Sequence, residues 1–212
     1  PGFIHARYVP ADAISAAGLR VAADGSLAAL DAAGAVTPLT LGPARFFVVA
    51  DCSDTWGHDV TRYATIVNEF RLVASRALTG AVVSKLYQRF EHNRSAIEVT
   101  YSLYEGLPRI YMDIRVLWSE YRQLLKLQWK FPGPTRYTTI PMDAAGGPVT
   151  GTGDGAELPM HRWAALPTEP KPFTILQSGA FACDWMNGRF RLTLVRSSLY
   201  GMHTPACEMD PD

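Results

Sequence analysis

Between Arg109 and Pro132 the chain reads RIYMDIRVLWSEYRQLLKLQWKFP, and this stretch limits the possible fold more than any other. Ile110, Met112, Ile114, Val116 and Trp118 fall on alternate positions, with Arg109, Tyr111, Asp113, Arg115 and Ser119 between them. Side chains of an extended chain point to opposite faces with a period of two, so this is the pattern of a strand with one buried face. A helix would need apolar residues three and four apart, and winding 110–118 into one would spread charged and apolar groups over every side. After the polar break 119–123 the alternation resumes, with Leu125, Leu127, Trp129 and Phe131 against Lys126, Gln128 and Lys130. Pro132, which cannot donate to a ladder, ends it. Two long neighbouring strands of a large sheet are expected, with Ile114, Val116, Leu127 and Trp129 buried.

The rest of the chain continues the β pattern. Asp24 and Gly25 separate two short apolar runs, and Asp-Gly is a preferred hairpin turn, which predicts a hairpin over 19–30. Residues 46–50 form an apolar strand candidate that leads into a polar loop, DCSDTWGHD, at 51–59. Further strands are expected in 65–74, 81–91 and 96–104, the last alternating Ile97, Val99, Tyr101 and Leu103 against Glu98, Thr100 and Ser102. Residues 1–18 read as a lead-in. The stretch 141–172 is dense in proline and glycine and reads as a long irregular connection, of the length that in compact domains is functional or disordered. Strands return at 173–178 and on both sides of Asn187-Gly188, a second hairpin signal. There is no internal repeat and no amphipathic pattern longer than about three helical turns. The expected fold is all-β, a single large antiparallel β-sandwich domain over 1–212.

Bulk properties exclude several classes of function. With 212 residues, 48% of them hydrophobic, the chain can bury a substantial core. Lys plus Arg equals Asp plus Glu at 20 each, so no electrostatic argument favours a nucleic acid or membrane partner. No run of about 18 apolar residues is present to span a bilayer. No secretory leader is visible at Pro1, and Cys52, Cys183 and Cys207 are widely spaced without zinc-site spacing. Free thiols in a reducing, cytoplasmic compartment are the expectation.

Chemistry has to be sought among carboxylates, histidines and aromatics. Asp51, Asp54, His58 and Asp59 lie close enough in sequence for a metal or acid–base cluster, although such residues in a turn equally serve as caps and loop acceptors. Glu98, Asp113 and Glu120 could pair as glycosidase carboxylates, or simply face water. His161, Arg162 and Trp163 sit together in the 141–172 stretch, where Trp and Arg can stack on a sugar, anchor an interface, or plug the core. No phosphate loop, nucleophile elbow or metalloprotease helix occurs. Neither a catalytic residue nor a metal ligand is assigned.

Several segments resemble the C-terminal β-domain of glycoside hydrolase family 38, the retaining α-mannosidases, in their cytosolic and bacterial branch. RVLWSE followed by LLKLQWKFP is similar to that family's strand pair, through Trp118, Glu120, Leu124, Leu125, Lys126, Phe131 and Pro132. ELPMHRWAAL resembles its His-Arg-Trp-Ala loop at His161, Arg162, Trp163 and Ala164, and FRLTLVRSS its late strand at Leu192, Leu194, Arg196 and Ser197. SDTWGHDV is similar to an early segment at Trp56 and Asp59, departing from it at Gly57 and His58.

The resemblance implies a supersandwich related in architecture to galactose mutarotase, as one part of a longer enzyme. It also implies that the nucleophile and the zinc ligands lie on an N-terminal catalytic domain that nothing in 1–212 matches. On that reading the chain is non-catalytic and without a cofactor of its own. It packs on the catalytic domain of the same polypeptide and shapes the rim of a cleft that takes α-mannosides, with zinc in the full-length enzyme. Trp56, Asp59, His161, Arg162 and Trp163 are then the residues for the rim or the interdomain contact. Because family members continue past 212 into at least one more strand, an exposed edge and self-association are expected of the isolated chain. Two alternatives stay open: a free-standing carbohydrate-binding module, for which Tyr101, Tyr111 and Tyr121 come nearest to an aromatic row, and a mutarotase-type epimerase, which would need His and Glu to converge on one sheet.

Overall fold

The structure, a computed structural model, describes residues 9–53, 57, 60–131, 139–166 and 173–198, of which 38–40 as backbone only. Among these the chain forms strands throughout and no helix. In order they are β1 (Val9–Ala11), β2 (Ala13–Ala16), β3 (Leu19–Ala22), β4 (Leu27–Leu30), β5 (Val36–Leu41), β6 (Arg45–Ala50), β7 (Ile66–Glu69), β8 (Arg71–Thr79), β9 (Val83–His92) and β10 (Ser95–Tyr104). They continue with β11 (Ile110–Leu117), β12 (Gln123–Lys130), β13 (Thr139–Ala144), β14 (Gly147–Thr152), β15 (Leu158–Pro159), β16 (Trp163–Leu166), β17 (Phe173–Leu176), β18 (Ala182–Met186) and β19 (Arg189–Ser197).

The all-β expectation holds, but the single large antiparallel sandwich does not, nor does the mutarotase-like supersandwich. The strands fall into four separate sheets, and the chain divides into two compact units, Pro1–Ala44 with Arg71–Trp118, and Arg45–Phe70 with Ser119–Asp212. The first unit has a five-stranded sheet, β1-β8-β9-β10-β11, and a four-stranded sheet, β2-β3-β4-β5. The second has a six-stranded sheet, β15-β18-β19-β12-β6-β7, and a four-stranded sheet, β14-β13-β16-β17.

The stretch 109–131 shows where the expectation failed. β11 pairs with β10, whereas β12 pairs with β6 and β19, so the two long strands are not neighbours. The polar break between them is the crossing point, and Arg122, with φ of 54°, turns the chain there. β11 is an edge strand, so Ile114 and Val116 are half-buried and the alternation is one of degree. β12 is central, and residues 124–129 are all buried, Lys126 and Gln128 included. An alternation of charge and apolarity therefore has a different cause in each strand: water on one face of β11, and a buried polar layer on one face of β12.

The two hairpins form as the turn residues predict. Gly25, at φ +90°, donates its N–H to the Ala22 carbonyl, and Asp24 Oδ1 accepts the Ser26 N–H at 2.8 Å. Asn187 and Gly188 both have positive φ, 52° and 71°, as the tight turn between β18 and β19 requires. Two other expectations are corrected. The lead-in 1–18 contains β1 and β2, and the supposed irregular connection 141–172 contains β14, β15, β16 and most of β13. Its glycines serve strands: Gly146 and Gly147 make the β13–β14 turn with φ of 97° and 127°. At Gly151 on β14 a Cβ would lie 2.7 Å from Leu158 Cδ1 and 2.8 Å from Met142 Sδ, so both side chains would have to shift to admit one.

Candidate functional site

One face of the six-stranded sheet carries charge where a core would ordinarily carry carbon. Across β12, β19 and β18 the facing residues are Lys126 and Thr193 in one row, and Gln128, Arg191 and Asp184 in the next. Lys126 is fully buried, and its ammonium lies 2.5 Å from Glu157 Oε2 and 2.7 Å from Asp184 Oδ2. Asp184, 1% exposed, also accepts from Arg191 Nε at 2.7 Å. Glu157 accepts the Thr193 hydroxyl through its other oxygen.

The row continues because β19 is irregular. Leu125 pairs with Val195 and Lys126 with Thr193, so Leu194 is an extra residue on β19. On a regular strand Thr193 and Arg196, three apart, would point to opposite faces; the bulge brings both to the same one. Arg196 Nε donates to Asp51 Oδ2 at 2.7 Å and its Nη2 to Ser53 Oγ at 2.7 Å. Ser53 Oγ donates to Asp51 Oδ1 at 2.6 Å and lies 3.0 Å from the Tyr63 hydroxyl. The Tyr63 ring sits between the two halves of the row, 5.9 Å from Lys126 Nζ and 5.7 Å from the Arg196 guanidinium carbon. Phe47, Val49 and Leu124 pack against the same Tyr63.

Three carboxylates, Asp51, Glu157 and Asp184, thus meet three cations, Lys126, Arg191 and Arg196. Each acid is bonded to a cation, and that pairing is what makes burial of either sign tolerable. Such a set fixes backbone; it offers neither a lone base nor a lone acid. The segments it ties are 51–53, Tyr63 and the approach to β15, and Thr61 and Arg62 are also joined to that approach by Glu157 N–H to the Thr61 carbonyl at 2.8 Å and Arg62 Nη2 to Asp154 Oδ2 at 2.9 Å. The Ala156 N–H, ahead of Arg62, holds the exposed Asp154 carboxyl below its usual range. The Cys183 thiol, buried beside this network, is pushed up to about 12 by its burial, then by Glu157 and Asp184. Residues 60–65 with Ala50 and Cys52 line an open depression of about 370 Å³ above the network.

The residues singled out from sequence fare unevenly. Trp56 and Asp59, with Asp54 and His58, lie outside the described residues. Asp51, their neighbour, is a buried acceptor for Arg196 and for the Ser53 N–H at 3.0 Å, the capping role open to it from the start. His161 and Arg162 are exposed and Trp163 half-buried at the start of β16. His161 Nδ1 stands 3.5 Å from Asp143 Oδ2, while its carbonyl and that of Arg162 accept from Gln177. Glu98 faces water and bonds to Arg89 Nη1 at 3.0 Å. Tyr101 is buried, which removes it from any exposed aromatic row. Among the described residues no group of three or more His, Cys, Asp and Glu could hold a metal. Sequence reasoning missed Glu157, Asp184 and Arg191 and gave Lys126 and Arg196 no role beyond the family motifs they belong to; a lysine and a glutamine in a strand apolar enough to be central were the further signal.

Comparison with known proteins then places the chain. No curated protein matches it. Among solved structures it is similar to an α-mannosidase from Enterococcus faecalis V583, with TM-score 0.66 and 11% identity over 87% of this chain and 26% of that one. It is also similar to a protein in glycosyl hydrolase family 38 from Enterococcus faecalis, with TM-score 0.67 and 11% identity over 88% of this chain and 26% of that one. At such identity the likeness speaks for the fold, and the chain spans about a quarter of the length of these structures. The family model for the glycosyl hydrolases family 38 C-terminal domain matches residues 51–211, and the chain belongs to that family.

Proposed function

We propose that the chain is the non-catalytic C-terminal β-domain of a retaining α-mannosidase acting on α-mannosides. It packs on the catalytic domain of the same polypeptide, and Trp56, Asp59 and the His161–Arg162–Trp163 group contribute to the rim of the substrate cleft or to the interdomain contact. The observation that carries this reading is the ionic row: each of Asp51, Glu157 and Asp184 is bonded to a buried or half-buried cation, so these three acids are engaged in holding structure. The family match and the quarter-length coverage of the similar structures support a domain within a larger enzyme. Zinc belongs, on this reading, to the catalytic domain. The unbridged thiols of Cys52 and Cys183 support a reducing, cytoplasmic setting.

The test is turnover of a chromogenic α-mannoside by the purified chain, alone and after mixing with a separately produced catalytic domain. The chain alone should give no rate above the no-enzyme control. Turnover by the chain alone that is abolished by Glu157→Gln or Asp184→Asn would overturn the non-catalytic reading. An Arg162→Ala or Trp163→Ala change that left kcat and KM of the full enzyme untouched would remove those residues from the rim.

A further inference from the structure

Within the first unit, β11 closes one end of the five-stranded sheet, and among the described residues no strand lies beyond it. It pairs with β10 from Ala96 opposite Leu117 to Leu103 opposite Ile110 without a bulge, and it contains no proline and no inward-pointing charge. Those are the devices that ordinarily keep an edge strand from taking a partner. The apolar row of the sheet also stops short there. Ile97, Val99, Tyr101 and Leu103 of β10 are at most 1% exposed, whereas Val116, Ile114, Met112 and Ile110 opposite them are half-buried. On the outward face Tyr111 and Leu117 are 40% and 63% exposed, and Asp113 and Arg115 between them are exposed as well. Glu98, the residue opposite Arg115, is bonded to Arg89 at 3.0 Å, and among the described residues neither Asp113 nor Arg115 makes an ion pair.

We propose that two copies of this chain pair edge to edge through β11, antiparallel about a two-fold axis at Ile114, so that their five-stranded sheets join into one continuous sheet. The sequence of β11 is complementary to itself in that register. Turned end for end, Ile114 meets the partner's Ile114 and Met112 meets the partner's Val116 on the inward face, while Asp113 meets the partner's Arg115 and Tyr111 the partner's Leu117 on the outward one. The contact is isologous, so each of the last three pairs occurs twice. Opposite charges and apolar side chains that face each other across strands are stabilising, and like charges are not. Registers centred on Asp113 or on Arg115 put like charges opposite, and those centred between two residues set an inward side chain against an outward one. A parallel pairing about a two-fold along the strands would turn the second copy's apolar row to the water side. The antiparallel register about Ile114 avoids all three faults, pairs the outward N–H and C=O groups of the edge, and carries the half-buried apolar row on into the second copy.

Sedimentation velocity of the whole chain over a concentration series, with 110–117 followed by amide hydrogen exchange, tests the proposal. A reversible monomer–dimer equilibrium is expected, with the outward amides of 110–117 gaining protection as the dimer forms. Arg115→Asp and Asp113→Arg each set like charges opposite at two places in the contact, and each should weaken dimerisation at least about tenfold. Both side chains are exposed, so the melting temperature of the dilute monomer should not move. Mixed in equal amounts, the two variants restore both acid–base pairs and should dimerise with each other as the parent does with itself. A chain that stays monomeric, a dimer that neither variant weakens, or two variants that fail to associate on mixing would overturn the proposal. So would protection of the outward 110–117 amides in the monomer, which would mean that another segment of this chain already covers the edge.

Discussion

Replacing Lys126 by methionine keeps an unbranched apolar stem of nearly the same reach and removes the ammonium between Glu157 and Asp184. Asp184 would keep Arg191, and Glu157 would keep only the Thr193 hydroxyl. Lys126 is fully buried and Glu157 half-buried, its side chain 16% exposed, so water only partly replaces the ammonium. Removing one member of a buried ion pair typically costs about 3–5 kcal/mol, most of it the penalty of the charge left behind. In urea, with an unfolding slope of about 2.5 kcal/mol per molar, a loss of about 4 kcal/mol would lower the midpoint by about 1.5 M. Fluorescence of Trp129 and Trp185, both buried in the same sheet, gives the readout. Adding Glu157→Gln removes the stranded carboxylate, and the double variant should recover at least about 1 kcal/mol, because coupled neighbours are not additive. The ionic row would lose its claim as a stabilising element of this sheet if Lys126→Met unfolded within about 1 kcal/mol of the parent. A double variant weaker than the single one would be equally damaging.

Three further outcomes are expected. Gly151→Ala should cost about 1–3 kcal/mol in a thermal or urea melt, since the new methyl meets Leu158 and Met142 at under 3 Å with no unusual φ to confuse the cause; a neutral change would mean the β14 edge yields freely. The Cys183 thiol is raised to about 12 in the folded chain against an ordinary value near 9.0, so the folded state holds the proton more tightly than the unfolded one. Stability should therefore fall between about pH 9 and 12, by up to about 1.4 kcal/mol per pH unit, and Cys183→Ala should flatten that part of the profile; an unchanged slope would refute it. The isolated chain should self-associate, because edge strands β11 and β17 expose Leu117 and Leu176 beside unpaired ladder groups; light scattering that reports a monomer over a wide concentration series would count against this.

Much of the local structure could be read from the sequence, because it is written in local chemistry. Asp24-Gly25 and Asn187-Gly188 mark hairpins that form, and the period of two is visible as burial in 97–101 and 110–117, though Ser102, expected on the polar side, is buried. What could not be read is how strands combine. Val116 and Leu127 lie in similar alternating patterns, yet one is half-buried on an edge and the other fully buried in a centre, because partners distant in sequence decide the difference. Lys126 misled for a related reason: its cationic end is neutralised by Glu157 and Asp184, 31 and 58 residues away. The proline and glycine of 141–172 suggested a loop, but they supply a tight turn and a contact without a Cβ, which is strand chemistry in a crowded place. His161, Arg162 and Trp163 were singled out by the combination of side chains, and the structure puts them together where β16 begins.

The extra residue in β19 is spare as far as register is concerned. Without Leu194, Thr193 and Arg196 would stand two apart on a regular strand, still opposite Lys126 and Leu124 and still on one face, so Arg196 would keep Asp51. Length variation between Thr193 and Arg196 should therefore be found as the loss of that one residue, with the 51–53 segment unchanged.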